Sequence, residues 1–202
     1  MTGLPFKPQN DILFPTYARF NRGPIAIMKI LLNAKQIGGT LKKLATRIIA
    51  DKPDNVDIAV IGIRSRGEIL AQRLAGILSE KTGADVPCGT LDITLYRDDL
   101  NSFKGGKQPQ VRTTEIGFDI DDKIIILVDD VLHTGRSARA AMDALIDLGR
   151  PRAVRLAVLV DRSGREFPIQ ADYEGFKAKA SPDKLVHVLL KESDGKEQVV
   201  VE

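Results

Sequence analysis

The chain has 202 residues, 43% hydrophobic and 5% aromatic, with 30 basic against 27 acidic side chains and a net charge of +3. That length and apolar share suit one α/β domain with a substantial core, and no apolar run nears the roughly 20 residues of a membrane span. The small positive excess is compatible with nucleic acid but does not argue for it, because phosphate-bearing small molecules attract the same charge.

Residues 1–30 carry Pro5, Pro8, Pro15 and Pro24 without sustained periodicity and read as an irregular N-terminal arm. They lack the basic start, apolar run and small-residue cleavage pattern of a secretory signal. Ordered structure is expected directly after Met28, so the arm reads as an extension ahead of a domain over 31–202. Over residues 34–50, Ile37, Leu41, Leu44, Ala45, Ile48 and Ile49 fall on one helical face. Pro53 ends that helix. Residues 56–63 form a β-rich strand, followed by Arg64-Ser65-Arg66-Gly67. Leu70, Leu74, Ile77 and Leu78 mark a second helix closing near Gly83, and residues 86–95 read as the next strand. Cys88 is the only cysteine, so no intrachain disulfide exists and a reducing cytoplasm is expected. Residues 100–115 are polar, with Gly105-Gly106 and no apolar rhythm, which predicts a flexible lid.

Residues 124–128 are five apolar side chains, too few for a helix, and read as a buried strand. Asp129 and Asp130 end it, and a loop carrying Thr134 and Gly135 opens a helix with the stripe Ala138, Ala141, Met142, Leu145 and Leu148. Gly149 and Pro151 stop that helix. Residues 154–160 form another buried strand ending in Asp161, and residues 185–190 and 199–201 flank Ser193-Asp194-Gly195-Lys196, a hairpin signal. His133 and His187 lie far apart without a Cys/His cluster, which argues against structural zinc. Strand–helix alternation implies a parallel sheet with helices on both faces.

Ligands of open parallel sheets sit at the carboxyl ends of the strands. A carboxylate accepts two or more hydrogen bonds, so adjacent acids suit a sugar diol. The following loop and helix start suit a phosphate, because unpaired backbone N–H groups point outward there. Side by side, these features suit a ribose phosphate. Acidic pairs after strands also serve as turns or helix caps; the Thr-Gly-Arg-Ser run at this spacing weighs against that reading.

Asp129, Asp130, Thr134, Gly135, Arg136 and Ser137 resemble the phosphoribosyl-pyrophosphate (PRPP) signature of type I phosphoribosyltransferases. Gly62-Ile63-Arg64-Ser65-Arg66-Gly67, Tyr96-Arg97-Asp98-Asp99-Leu100, Gly149-Arg150-Pro151 and Leu159-Val160-Asp161-Arg162 surround it. Together they are similar to the bifunctional pyrimidine-operon regulatory protein/uracil phosphoribosyltransferase family over residues 30–202. The resemblance implies a type I phosphoribosyltransferase fold: a central, mainly parallel sheet flanked by helices, with a small hood and a flexible active-site loop. It implies the reaction uracil + PRPP → UMP + pyrophosphate, with Mg²⁺ held near Asp129 and Asp130 largely through PRPP and water. It also implies a homodimer or higher homo-oligomer, and binding of a pyrimidine-gene mRNA leader.

By the same resemblance, Asp129 and Asp130 hold the ribose hydroxyls. Val131, Leu132, His133, Thr134, Gly135, Arg136 and Ser137 form the loop around the 5-phosphate. Arg64, Ser65, Arg66 and Gly67 contact pyrophosphate, in a loop that often holds a non-proline cis peptide. Arg97 steadies the departing pyrophosphate, and Val160, Asp161 and Arg162 meet the uracil edge. Lys42, Lys43, Arg47 and Arg165 are the candidates for RNA contact. Two departures stand out. His133 occupies a place where uracil members usually carry Tyr and purine enzymes Asp, and Gly38-Gly39 and Gln170 stand where RNA-binding members tend to carry arginine. A purine phosphoribosyltransferase, and an RNA regulator with little catalysis, therefore remain alternatives. A P-loop reading of Gly62 and Gly67 fails, because Glu68-Ile69 stand where Lys-Ser/Thr is required. Arg139, Arg152 and Arg155 read as solvated or interface charges.

Overall fold

A computed structural model of the chain describes residues 28–98, 111–181 and 183–202. The arm expected over 1–30 lies outside the described residues up to position 27, and so does the part of the predicted lid over 100–110. Strand β1 (Lys29–Asn33) runs straight into helix α1 (Ala34–Asp51). A reciprocal capping box makes the junction: Gln36 N donates to Asn33 Oδ1 at 3.0 Å, and Asn33 N donates to Gln36 Oε1 at 2.9 Å.

β2 (Ile58–Ile63), α2 (Arg66–Thr82), β3 (Cys88–Leu91), β4 (Ile124–Leu132), α3 (Arg136–Leu148), β5 (Ala153–Arg162) and β6 (Tyr173–Ala178) build the body. Its five strands pair in parallel in the order β3-β2-β4-β5-β6. Alternate side chains of one strand enter opposite cores. Ile58, Val60, Ile124, Ile126 and Val128 join the α1 and α2 stripes. Ala59, Ile61, Ile125 and Leu127 join Ala138, Ala141, Ala144 and Leu145 of α3. Cover on both faces is why β2 is apolar throughout instead of alternating. β7 (Val186–Leu189), the single-turn helix α4 (Lys191–Asp194) and β8 (Gln198–Val201) follow. β7 and β8 are antiparallel, as the hairpin signal predicts, and β1 adds on the other side of β8. This small sheet is the hood.

Two expectations need correction, and one strand was not expected. The strand expected over 86–95 stops at Leu91, because the Asp92 carboxylate captures the N–H and hydroxyl of Thr94 at 3.0 and 2.6 Å and turns the chain into a 3₁₀ turn, Thr94–Tyr96. Leu148 ends α3 half-exposed rather than in its buried stripe. β6 escapes the sequence pattern altogether, since Tyr-Glu-Gly-Phe-Lys-Ala has neither alternation nor an apolar run. Near the predicted lid, Glu115 pairs with Thr90 of β3 through two backbone bonds of 2.8 Å, so this end of the segment is tied down. Among the described residues, no helix is long and apolar enough to cross a membrane.

Candidate active site

The carboxyl ends of β2, β4 and β5 converge on one rim of the sheet. Gly62 and Gly67 let the first loop approach it. A Cβ on Gly62 would lie 2.5 Å from Gly67 O and from Glu68 Cα, and one on Gly67 would lie 2.5 Å from Val128 O. The start of α2 thus packs backbone to backbone on the end of β4. Between the glycines, the Arg64–Ser65 peptide is cis, as the resemblance implies. Arg64 forms ion pairs with Glu68 at 3.3 Å and Glu115 at 3.0 Å. Arg66 makes a fork with Asp194 of α4, at 3.2 Å from Nε and 2.7 Å from Nη2, and its charge also acts on Asp130.

Asp129 and Asp130 lie near the carboxyl end of β4, both partly buried. Each carboxylate accepts the next backbone N–H, Asp130 N to Asp129 Oδ1 at 2.9 Å and Val131 N to Asp130 Oδ1 at 2.8 Å. Burial raises the pKa of both carboxyls, and the charge of Asp130 pushes Asp129 well above the usual carboxylate range. Among the described residues, no cluster of three or more His, Cys, Asp and Glu forms a metal cage. Two adjacent carboxylates without a third donor fit a hard cation that takes most of its shell from substrate oxygens and water.

Beyond the acids, the loop from Leu132 reaches α3 at Arg136. Arg97, Asp98, Thr134, Arg136 and Ser137 line a polar cleft of about 160 Å³ over it, which brings Arg97 to the loop expected to take a phosphate. The segment carrying Arg97 is clamped to α3. Tyr96 Oη donates to Asp147 at 2.7 Å, Arg139 Nη2 donates to Tyr96 O at 2.7 Å, and Arg136 Nη1 donates to Asp98 at 2.5 Å. Arg136 also grips Glu166 and lies over the Phe167 ring. The sequence singled out Tyr96 and Arg97 through their motif; the anchoring role of Arg139, read there as a surface charge, had no local signal.

The third wall is the end of β5. Asp161 and Arg162 line a cleft of about 360 Å³ together with Ser163, Arg165, Lys177 and Lys179. Arg162, expected at the base edge, is 3% exposed and donates to Lys184 O and Ser181 O, so it ties β5 to the segment entering β7. His133 packs on Gly164, where φ is +108° and a Cβ would sit 2.6 Å from His133 Nε2. Burial lowers the His133 pKa, the nearby Arg162 and Arg165 charges lower it further, and Glu166 opposes them. The imidazole is therefore neutral at physiological pH.

Of the four RNA candidates, Lys42 and Lys43 project into solvent from α1. Arg47 donates to Asp172 O and Glu174 O and lies over the Tyr173 ring. Arg165 is folded inward against the phosphate loop.

Residues 28–193 match the family described as phosphoribosyl transferase domain. The chain belongs to the phosphoribosyl transferase family. This phosphoribosyltransferase is 50% identical over 169 residues to a protein of Thermus aquaticus named Bifunctional protein PyrR, covering 84% of this chain and 92% of that relative. It is 52% identical over 172 residues to the protein of that name in Desulfosudis oleivorans, covering 85% and 94%. Likeness at that level puts it in the PyrR group of phosphoribosyltransferases. Among solved structures it is similar to a hypoxanthine phosphoribosyltransferase of Trypanosoma cruzi in a ternary substrates complex, with a TM-score of 0.65, 22% identity, and coverage of 86% of this chain and 94% of that one. That likeness identifies the shared type I fold: a five-stranded parallel sheet between helices.

Proposed function

We propose that this phosphoribosyltransferase transfers the 5-phosphoribosyl group of PRPP to uracil, releasing pyrophosphate and forming UMP. The observation that carries the reading is the continuity of Asp129 and Asp130 with the loop of residues 132–137. A carboxylate pair suited to a diol and a loop whose Thr134, Arg136 and Ser137 line a polar cleft support that reading together. Choice of a pyrimidine is supported by the relatives named PyrR, about half identical along the chain.

Displacement at the anomeric carbon builds positive charge on the ribose and negative charge on the departing pyrophosphate. Electrostatic stabilisation therefore supplies most of the rate, without a protein nucleophile. Asp129 and Asp130 hold the ribose 2- and 3-hydroxyls and face the developing cation with negative charge. Thr134 and Ser137 hydroxyls and the loop N–H groups take the 5-phosphate. Arg64, Ser65, Arg66 and Gly67 meet the pyrophosphate, and Arg97 steadies it as it leaves. Phosphoribosyltransferases generally use Mg²⁺ with PRPP, and here it would neutralise pyrophosphate beside Asp129 and Asp130. The uracil edge meets backbone groups at Val160, Asp161 and Arg162, with neutral His133 at the same wall. Assembly into a homodimer or higher homo-oligomer belongs to the same reading. So does a UMP-responsive affinity for a pyrimidine-gene leader RNA, for which the word bifunctional in the relatives' name is the support.

Steady-state assays with PRPP, Mg²⁺ and each nucleobase test this. Turnover with uracil and none with hypoxanthine or guanine is expected. Purine turnover would move the protein to the purine transferases, and no turnover with any base would leave only a regulator, recognised by leader-RNA binding that UMP strengthens and salt weakens.

A further inference from the structure

Arg165 lies outside the residues assigned above to substrate contact, yet it makes the densest set of polar contacts around the loop. Nη1 donates to Leu132 O at 3.1 Å, to His133 O at 2.6 Å and to Arg162 O at 2.7 Å. Nε donates to Ile169 O at 2.9 Å, and Nη2 is bonded to Asp161 Oδ1. One guanidinium therefore joins the end of β5 to the phosphate loop. The chain beside it continues the pattern, because Glu166 N and Phe167 N donate to Thr134 O at 2.9 and 3.0 Å. Carbonyl oxygens of three successive loop residues, 132, 133 and 134, are thus all held from the 165–167 side.

A trans peptide is planar, with its C=O and the following N–H pointing in opposite directions. Fixing the Leu132, His133 and Thr134 carbonyls on one side directs the N–H groups of His133, Thr134 and Gly135 to the other. Successive N–H groups aimed one way form an anion-binding nest. From this geometry we infer that Arg165 is a positioning residue for the phosphate loop: by holding the Leu132 and His133 carbonyls it aims the following N–H groups at the 5-phosphate of PRPP. Its bonds to Asp161 and Arg162 O anchor the same side chain on the end of β5. The inference rests on the transferase reading and deepens it. Nη1 alone meets the three carbonyls, while Nε and Nη2, bonded to Ile169 O and Asp161, fix where it sits; a lysine ammonium, with a single nitrogen, lacks that bracing.

The test compares wild type, Arg165→Gln and Arg165→Lys, using ribose 5-phosphate as the binding probe, PRPP and uracil kinetics, and thermal melting. Both variants should raise the Kd for ribose 5-phosphate and the KM for PRPP at least about tenfold, as expected when charge-assisted hydrogen bonds are lost. The uracil KM and kcat should each change less than threefold. If Arg165→Gln fails to fold, Arg165→Lys carries the test, because it keeps the stem and the charge. Unchanged ribose 5-phosphate affinity in a folded variant overturns the inference, and so does a loss confined to melting temperature or kcat, which marks a merely structural role. Wild-type protein that neither binds ribose 5-phosphate nor turns over PRPP would overturn the transferase reading itself.

Discussion

Asp129 sits where burial and the neighbouring Asp130 charge both oppose its ionisation. With a folded pKa above the unfolded one, the folded protein binds more protons than the unfolded chain between the two values. Stability therefore falls as pH rises through that window and stays lower above it. Asp129→Asn keeps the oxygen that accepts Asp130 N and removes the charge. The ligand-free variant should melt roughly 2–4 °C higher than wild type at pH 7, with the gap closing toward pH 4, while turnover falls about 100-fold or more. Differential scanning fluorimetry across pH with steady-state kinetics checks both; a variant that melts lower at neutral pH would show that the pair stabilises the empty fold. His133 is a different kind of residue: burial and two nearby arginines disfavour its charged form.

Elements place these side chains through backbone contact. The loop between β2 and α2 reaches β4 only because Gly62 and Gly67 carry no Cβ. Gly62→Ala would drive a methyl into backbone at 2.5 Å, where no flexible side chain can yield. A loss of about 1–3 kcal/mol is expected, read from the urea midpoint, with a raised KM for PRPP because the Arg64–Gly67 loop shifts. Wild-type stability in that variant would mean that the approach is looser than drawn. The 3₁₀ turn over Thr94–Tyr96 obeys a similar logic. Asp92 pins Thr94 on one side and, at 2.5 Å, the Arg112 N–H on the other, while Tyr96 and Arg139 fasten the turn to α3. These contacts fix the turn that leads directly into Arg97.

At the scale of the molecule, the hood is built from both ends of the described chain, β1 pairing with β8, and it docks on α2 through arginine forks. Arg73 holds Glu192 and Glu197, and Arg66 holds Asp194. The Arg66 fork, with Ser193 Oγ and Leu190 N adding hydrogen bonds, keeps the Asp194 carboxyl well below its ordinary range. A depressed folded pKa gives stability that is present above the unfolded value and lost as pH falls through the folded one. Asp194→Asn should therefore cost about 0.5–1 kcal/mol between pH 5 and 7, after discounting for screening at this partly exposed pair. The gap should narrow progressively as pH falls below about 4. Chemical denaturation at several pH values checks this, and a gap that stays constant from about pH 6 down to about pH 2.5 would assign the loss to packing instead.

The central strands β2, β4 and β5, the helices α1, α2 and α3 and the acid-pair loop were legible in the chain because each is encoded by residues close in sequence. Apolar runs, helical stripes, and Thr134 and Gly135 behind Asp129 and Asp130 needed no knowledge of the rest. The family resemblance extended that reading to the cis peptide at Arg64–Ser65. What the arginines do was decided only by the tertiary structure. Arg66 meets Asp194 across 128 positions, Arg139 meets the Tyr96 carbonyl across 43, and Arg165 turns toward Leu132 and His133 instead of solvent. The same holds for β6, whose place against β5 depends on Gly175 clearing Thr40 and Leu159. Periodicity is a local property of the chain, whereas the partner of a long charged side chain depends on which distant backbone the fold brings within about 3 Å.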